Sequence, residues 1–116
     1  MDLGIRNKNA LITGSSKGLG RESALALAKE GVNIILCARG AEDLENTKNE
    51  IRKLNINVSA YQTDISNIKE LNNLIDKINK DVGNIDILVN NVGGSLGTSD
   101  LLNSKIEDFQ KVMDAN

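Results

Sequence analysis

Between the apolar run Ala10-Leu11-Ile12 and the helix-like run from Arg21 to Glu30 lies the octapeptide Thr13-Gly14-Ser15-Ser16-Lys17-Gly18-Leu19-Gly20. Three glycines and a lysine at a strand-to-helix junction are residue types that can hold an anion. The first backbone N–H groups of a helix have no intrahelical acceptor, and the helix dipole puts partial positive charge beside them, so a phosphate is favoured there. Glycine lets the chain turn sharply, lets a diphosphate approach the backbone without meeting a Cβ, and lets the helix pack close to the strand. The spacing Gly14-x-x-x-Gly18-x-Gly20 is neither G-x-G-x-x-G nor a P-loop, since no Gly-Lys-Ser/Thr follows. Taken alone, the triplet fits a tight turn as well as a phosphate cradle. Set between a strand and a helix within a βαβ unit, it reads as a dinucleotide site.

A second group of residues bears on which dinucleotide. In sheets of this kind an Asp or Glu at the end of the second strand, about 20 residues beyond the glycine loop, binds the ribose hydroxyls of NAD and would repel a 2′-phosphate. Here the second strand ends Leu36-Cys37-Ala38-Arg39, with no acid in reach and an arginine at the first loop position. Arginine presents a planar fork matched to phosphate, and Lys17 adds a second cation. The pair favours NADP(H) over NAD(H), the alternative being two solvated surface cations. Cys37 lies in an apolar strand of a chain with no histidine, so it reads as a small apolar filler rather than a nucleophile. No metal site is read.

The elements that would position these residues alternate. Short apolar runs at Ala10 to Ile12, Val32 to Ala38, Val58 to Tyr61 and Ile85 to Val89 read as strands, the second and fourth apolar enough to be covered on both faces. Between them Leu19, Ala24, Leu27 and Ala28 recur at helical spacing, with Gly31 where a C-cap glycine belongs. Leu44, Ile51 and Leu54 repeat the stripe within Glu42 to Leu54, and Ile68, Leu71, Leu74, Ile75 and Ile78 do so again. Strands alternating with helices predict an α/β fold: a Rossmann-type, doubly wound parallel sheet of order 3-2-1-4 with helices on both faces. Residues 1–116 are expected to form one dinucleotide-binding domain whose fourth strand is an edge, prone to pair with other edges. Ile106, Phe109, Val112 and Met113 share a helical face in Lys105 to Asn116. No stop signal follows, so the sequence is expected to break off inside the helix after the fourth strand.

These residues resemble the short-chain dehydrogenase/reductases. The family's T-G-x-x-x-G-x-G is met by Thr13, Gly14, Gly18 and Gly20. Its Asn-Asn-Ala-Gly element after the fourth strand is matched by Asn90-Asn91-Val92-Gly93, with valine for alanine, and its adenine-contacting aspartate after the third strand by Asp64, followed by Ile65. Singly, Asn90 and Asn91 fit ordinary turn residues, and Asp64 fits an N-cap or Asx turn before a helix starting near Asn67. The resemblance implies cofactor contacts from Thr13, Gly14, Ser15, Ser16, Lys17, Gly18, Leu19 and Gly20, and from Arg39, Asp64, Ile65, Asn90, Asn91 and Gly93. The diphosphate would lie over Gly14 to Gly20, with the nicotinamide leaning past Asn91 toward Gly93. The family's NADP-using members are similar at Lys17 and Arg39. Gly93 to Gly97 fits part of a substrate mouth or a flexible connector.

The resemblance also implies hydride transfer between the nicotinamide and a carbonyl or alcohol, in the manner of the 3-oxoacyl-thioester reductases that this sequence broadly resembles. The family uses a tyrosine, a lysine four residues later that lowers its pKa, a serine that holds the substrate oxygen, and an asparagine after the fourth strand. Asn116 falls where that asparagine belongs. The only tyrosine, Tyr61, lies in the third strand with Ile65 four residues on, and no Tyr-x-x-x-Lys occurs in these residues. The expectation is the N-terminal part of an NADP-dependent oxidoreductase, not competent by itself, that acts on a small carbonyl or alcohol and self-associates at full length. The alternative is a nucleotide-binding fragment or inactive remnant.

Bulk composition narrows the classes further. Hydrophobic residues at 40% and charged residues at 26% are the balance of a folded domain rather than a disordered chain, and aromatics at 2% leave an aliphatic core. A net charge of -2, with basic residues scattered among acids, argues against a nucleic-acid partner. No apolar run approaches the ~20 residues that span a bilayer, and Met-Asp-Leu-Gly-Ile-Arg is no signal sequence. One cysteine cannot form an internal disulfide, so the expected setting is the cytoplasm.

Overall fold

Asn33–Ala38 (β2) is buried at every position after the first, a pattern that arises when a strand is covered on both faces. The computed structural model describes residues 4–14 and 18–91, and β2 lies inside its sheet. On one side it pairs in parallel with Asn9–Thr13 (β1), Leu11 opposite Ile35; on the other with Val58–Gln62 (β3), Ile35 opposite Ser59. β1 also pairs in parallel with Ile87–Asn90 (β4), Ile12 opposite Val89. The order β3-β2-β1-β4 is the one expected of a doubly wound sheet.

Strand side chains alternate between two cores, because successive Cβ atoms point to opposite faces. Ala10, Ile12, Ile34, Leu36 and Ala38 pack with Ala24 and Ala28 of Gly18–Lys29 (α1) and Leu44 and Ile51 of Ala41–Arg52 (α2). Leu11, Ile35 and Cys37 pack with Leu71, Leu74, Ile75 and Ile78 of Ile68–Asp81 (α3) on the other face. The buried residues of α1 are all small, Gly20, Ala24 and Ala28, and the helix carries two of the loop glycines, Gly18 and Gly20, at its head.

Helix ends follow their local chemistry. At the end of α1, Gly31 takes φ +83°; its N–H donates to Ala28 O at 3.0 Å, and that of Val32 donates to Leu27 O at 3.2 Å. This paired closure needs a left-handed residue, which glycine supplies. Asn67 caps α3, its Oδ1 accepting from the N–H groups of Lys69 and Glu70 at 3.0 and 3.2 Å. By contrast α2 opens on Gly40, which has no side chain to cap it.

The far ends of the strands, away from the glycine loop, are joined by a one-way chain of side-chain amides. Asn57 donates to Asn33 Oδ1 at 3.5 Å, Asn33 to Asn9 Oδ1 at 3.1 Å, and Asn9 to Asn84 O at 2.9 Å. Asp86 closes it, its Oδ2 accepting from Asn9 N–H at 2.8 Å.

Three expected core residues are not core. Leu19, Leu54 and Ile68 are 80%, 39% and 55% exposed. Each lies at a helix end or just beyond it, where helical periodicity continues in sequence but the sheet no longer lies beneath. β4, expected to be covered on both faces, is only half-buried along its length, since it pairs with β1 alone among the described residues. Gly93 to Gly97 and the helix expected over Lys105 to Asn116 lie outside the described residues.

Ile35 of β2 stands between Leu11 of β1 and Ser59 of β3, packs in the same cluster as the α3 side chains and is 1% exposed. Ile35→Ala is expected to destabilise the fold by about 3 kcal/mol through lost transfer energy and the cavity it leaves, read from urea unfolding midpoints. A loss below about 1 kcal/mol would mean the site collapses freely and the α3 face is not the tightly packed layer described.

Candidate dinucleotide-binding site

β1 delivers Thr13 and Gly14 to the C-terminal edge of the sheet, and β4 delivers Asn90 and Asn91 beside them. Thr13 is fully buried and pairs in register with Asn90. Its Oγ1 donates to Asn90 Oδ1 at 2.9 Å and accepts from the Asn91 N–H at 3.1 Å. One hydroxyl therefore joins the start of the glycine loop to the Asn-Asn element. Gly14 turns the chain at φ +62°, and a Cβ there would sit 3.3 Å from Asn91 O and 3.6 Å from Asn91 Cβ. Both the sign of φ and the close approach call for glycine at this position.

Asn91 carries the one orphaned polar atom of the junction. Its Nδ2 is buried and has no hydrogen-bond partner among the described residues. A buried donor left unpaired costs about 1–3 kcal/mol, a cost that a bound acceptor would remove. α1 starts at Gly18 with no acid in its first turn, so no carboxylate competes with an anion for its leading N–H groups. Gly20 is buried against the sheet, whereas Leu19 beside it faces outward. The junction thus offers oriented N–H donors, positive dipole and an unmet amide, which suits a phosphate-bearing ligand.

The second part of the edge lies between β2 and β3. Arg39 is exposed just past β2. The peptides on either side of it are held from β3: Thr63 N–H donates to Ala38 O at 2.8 Å and Gln62 Nε2 to Arg39 O at 3.0 Å. Asp64 forms an Asx turn, its Oδ1 accepting from Ser66 N–H at 3.0 Å and Ser66 Oγ at 2.6 Å. Those bonds, and after them the charge of Arg39, hold its carboxyl below the usual carboxylate range. Ile65, expected at the cofactor, has its side chain in the α3 core at 5% exposure; only its main chain is left to meet a ligand.

Some residues are brought elsewhere. Arg21 follows the last loop glycine but engages both carboxylate oxygens of Glu50 on α2, which ties α1 to α2. The Tyr61 hydroxyl donates to Asp81 Oδ2 at 3.0 Å. Burial first, and then Asp81, push its pKa above the ordinary value, the opposite of what a proton donor at neutral pH needs. Burial pushes the Cys37 thiol up to about 12, against a smaller opposing effect of Thr63, so it is a filler and not a nucleophile. Ser15, Ser16, Lys17, Gly93 and Asn116 lie outside the described residues. Sequence reasoning missed Gln62 and Glu50, for which no local motif gives a signal.

Residues 8–116 match the short chain dehydrogenase family. The chain belongs to the short-chain dehydrogenase family. An uncharacterized oxidoreductase of Mycobacterium tuberculosis is 36% identical over 97% of this chain and 34% of its own length. An NADP-dependent 3-hydroxy acid dehydrogenase of Schizosaccharomyces pombe is 33% identical over 94% of this chain and 43% of its own. Among solved structures, L-sorbose reductase of Gluconobacter frateurii, complexed with NADPH and L-sorbose, superposes with a TM-score of 0.77 at 36% identity, over 81% of this chain and 36% of the other. This short-chain dehydrogenase chain therefore spans about a third of the length of the first curated relatives it matches, 34% in the mycobacterial case. No helix among the described residues of the short-chain dehydrogenase chain is long and apolar enough to cross a membrane.

Thr13→Val in this short-chain dehydrogenase chain keeps the shape and removes the bridge, taking from the buried junction the donor to Asn90 Oδ1 and the acceptor of the Asn91 N–H. It is expected to cost about 1–3 kcal/mol, with Thr13→Ser retaining most of the stability. Equal losses for Val and Ser in thermal or urea unfolding would refute the bridging role. For Cys37, a thiol reagent at neutral pH is expected to label nothing in the folded protein and to label it fully after unfolding; rapid native labelling would contradict its burial.

Proposed function

We propose that residues 1–116 form the NADP(H)-binding domain of an oxidoreductase that passes a hydride between the nicotinamide and a carbonyl or alcohol. A 3-oxoacyl thioester is the substrate class that the sequence resemblance favours. The observation that carries the cofactor reading is Arg39, exposed at the C-terminal end of β2. Ala38 stands just before it, where a carboxylate would repel a 2′-phosphate. The NADPH in the L-sorbose reductase structure and the NADP-dependence in the name of the S. pombe relative support it.

In this reading the α1 N-terminus and the glycine turn, Thr13, Gly14, Ser15, Ser16, Lys17, Gly18, Leu19 and Gly20, hold the diphosphate. Arg39 with Lys17 takes the 2′-phosphate, while Asp64 and the main chain of Ile65 meet the adenine. Asn90, Asn91 and Gly93 border the nicotinamide end, and the unmet Asn91 amide is a donor for it. Bound there, the nicotinamide supplies or takes the hydride. Asn116 is assigned to the catalytic side of the site. The residues of this chain bind and orient; Tyr61, its hydroxyl given to Asp81, supplies no proton. We also place the protein in the cytoplasm.

The test is cofactor titration of the purified protein with NADPH and NADH. The unchanged protein is expected to favour NADPH. Arg39→Ala is expected to weaken NADPH about 10- to 100-fold, as the loss of a charge-assisted phosphate contact does, and to leave NADH unchanged. Equal affinity for the two cofactors in the unchanged protein would rule the NADP(H) reading out.

A further inference from the structure

We propose that Gln62 is a positioning residue that makes the end of β2 selective for a ribose 2′-phosphate. The inference rests on the NADP(H) reading above and assigns part of that selectivity to a residue that touches no phosphate.

The argument starts where β2 leaves the sheet. Ala38 and Gln62 are the last paired residues of β2 and β3. Just beyond them Thr63 N–H reaches Ala38 O at 2.8 Å, so the peptide before Arg39 is pinned to β3. The next carbonyl, that of Arg39, lies past the strand and would ordinarily turn to water. Instead the Gln62 side chain reaches it, Nε2 to O at 3.0 Å, so the peptide after Arg39 is pinned to β3 as well. With both flanking peptide planes held, φ and ψ of Arg39 are both set, and with them the direction in which its Cβ leaves the backbone.

The same anchor acts on Gly40. No peptide bond here is cis, so the N–H of a planar peptide points opposite to its C=O. Holding Arg39 O toward β3 therefore aims the Gly40 N–H away from β3. Gly40 is the N-cap of α2, in extended geometry and without a side-chain cap, so the leading N–H groups of this helix lie beside the same peptide. Glu42 and Asp43 follow in the first turn, and their charges oppose any second anion there. An anion is held at this end only when a cation is fixed over it, which is what an oriented Arg39 provides. Asp64, which feels the charge of Arg39, is the competing partner for an Arg39 whose backbone is free to turn.

Loss of the Gln62 bond thus costs the 2′-phosphate contact and spares the adenine, the ribose and the diphosphate, which NAD(H) and NADP(H) share. The experiment measures calorimetric affinities of the purified protein for adenosine 2′,5′-bisphosphate and adenosine 5′-monophosphate, in the unchanged protein, Gln62→Leu and Gln62→Glu, with urea midpoints alongside. The unchanged protein is expected to prefer the bisphosphate. Gln62→Leu, which fills similar space without a donor, is expected to weaken the bisphosphate about five- to tenfold and leave the monophosphate unchanged. Gln62→Glu, which cannot donate when ionised and adds a negative charge, is expected to lose more. A preference retained in both variants, or an equal loss of both ligands, overturns the positioning role while leaving the NADP(H) reading intact. No preference in the unchanged protein overturns that reading, and the role of Gln62 with it.

Discussion

The hydroxyl of Thr13 is the smallest group on which the rest of the site depends. It is fully buried, donates to Asn90 and accepts from Asn91, and so uses both sides of its hydrogen-bonding capacity at one point. Ladder bonds between β1 and β4 fix strand spacing but not where each chain goes on leaving the sheet. With the hydroxyl, the Gly14 turn and the Asn-Asn element move as one piece. Glycine at position 14 is then required by what already stands there, since Asn91 O leaves no room for a Cβ in ordinary contact.

Charge is distributed along this edge so that, among the described residues, few cations are left to serve a ligand. Among the described residues Arg21 is the cation nearest the loop in sequence, but it is used by Glu50 to hold α1 against α2. Arg39 lies exposed, with its backbone tied on both sides to β3. Main-chain dipoles at the head of α1 complete the positive end. What the edge offers an anion is therefore a matter of placement and not of composition, in a chain whose net charge is -2.

The layout of the fold was legible because a parallel sheet covered on both faces writes its strands as unbroken apolar runs, and Ile34 to Cys37 is such a run. Turn chemistry was legible for a similar reason: Gly14, Gly18 and Gly31 are where the chain takes positive φ, which other residues resist. What could not be read lies at the ends of elements. Leu19, Leu54 and Ile68 keep the helical period while extending beyond the sheet, because a period records which face a residue takes and not where the opposing layer stops. Asn9, Gln62 and Asn90 lie outside the apolar runs and Asn33 inside the run from Val32 to Ala38, though each is the first or last residue of its strand. Their polarity serves partners that are remote in sequence. Gln62 meets a residue 23 positions away, and nothing local announces such a pairing. The asparagines did leave a trace, a repeated spacing of 24 residues from Asn9 to Asn33 and from Asn33 to Asn57, visible only to a reader looking for one polar residue ahead of each apolar run.

That amide chain has a consequence for the opposite end of the sheet. In a sheet with one wet face, sliding a strand by a single residue drives polar side chains into the core, so the hydrophobic pattern polices alignment. β2 has no such safeguard, because its inner positions are aliphatic or small on both faces and a slide would exchange one for another. The row of asparagines supplies the missing reference mark: each amide meets its neighbour only when the strand starts are level. A slip at that end would carry Thr13 about 3.3 Å along its strand, more than the length of the bond it makes to Asn90, and the ligand edge would come apart. The polar residues farthest from the site therefore act as its ruler.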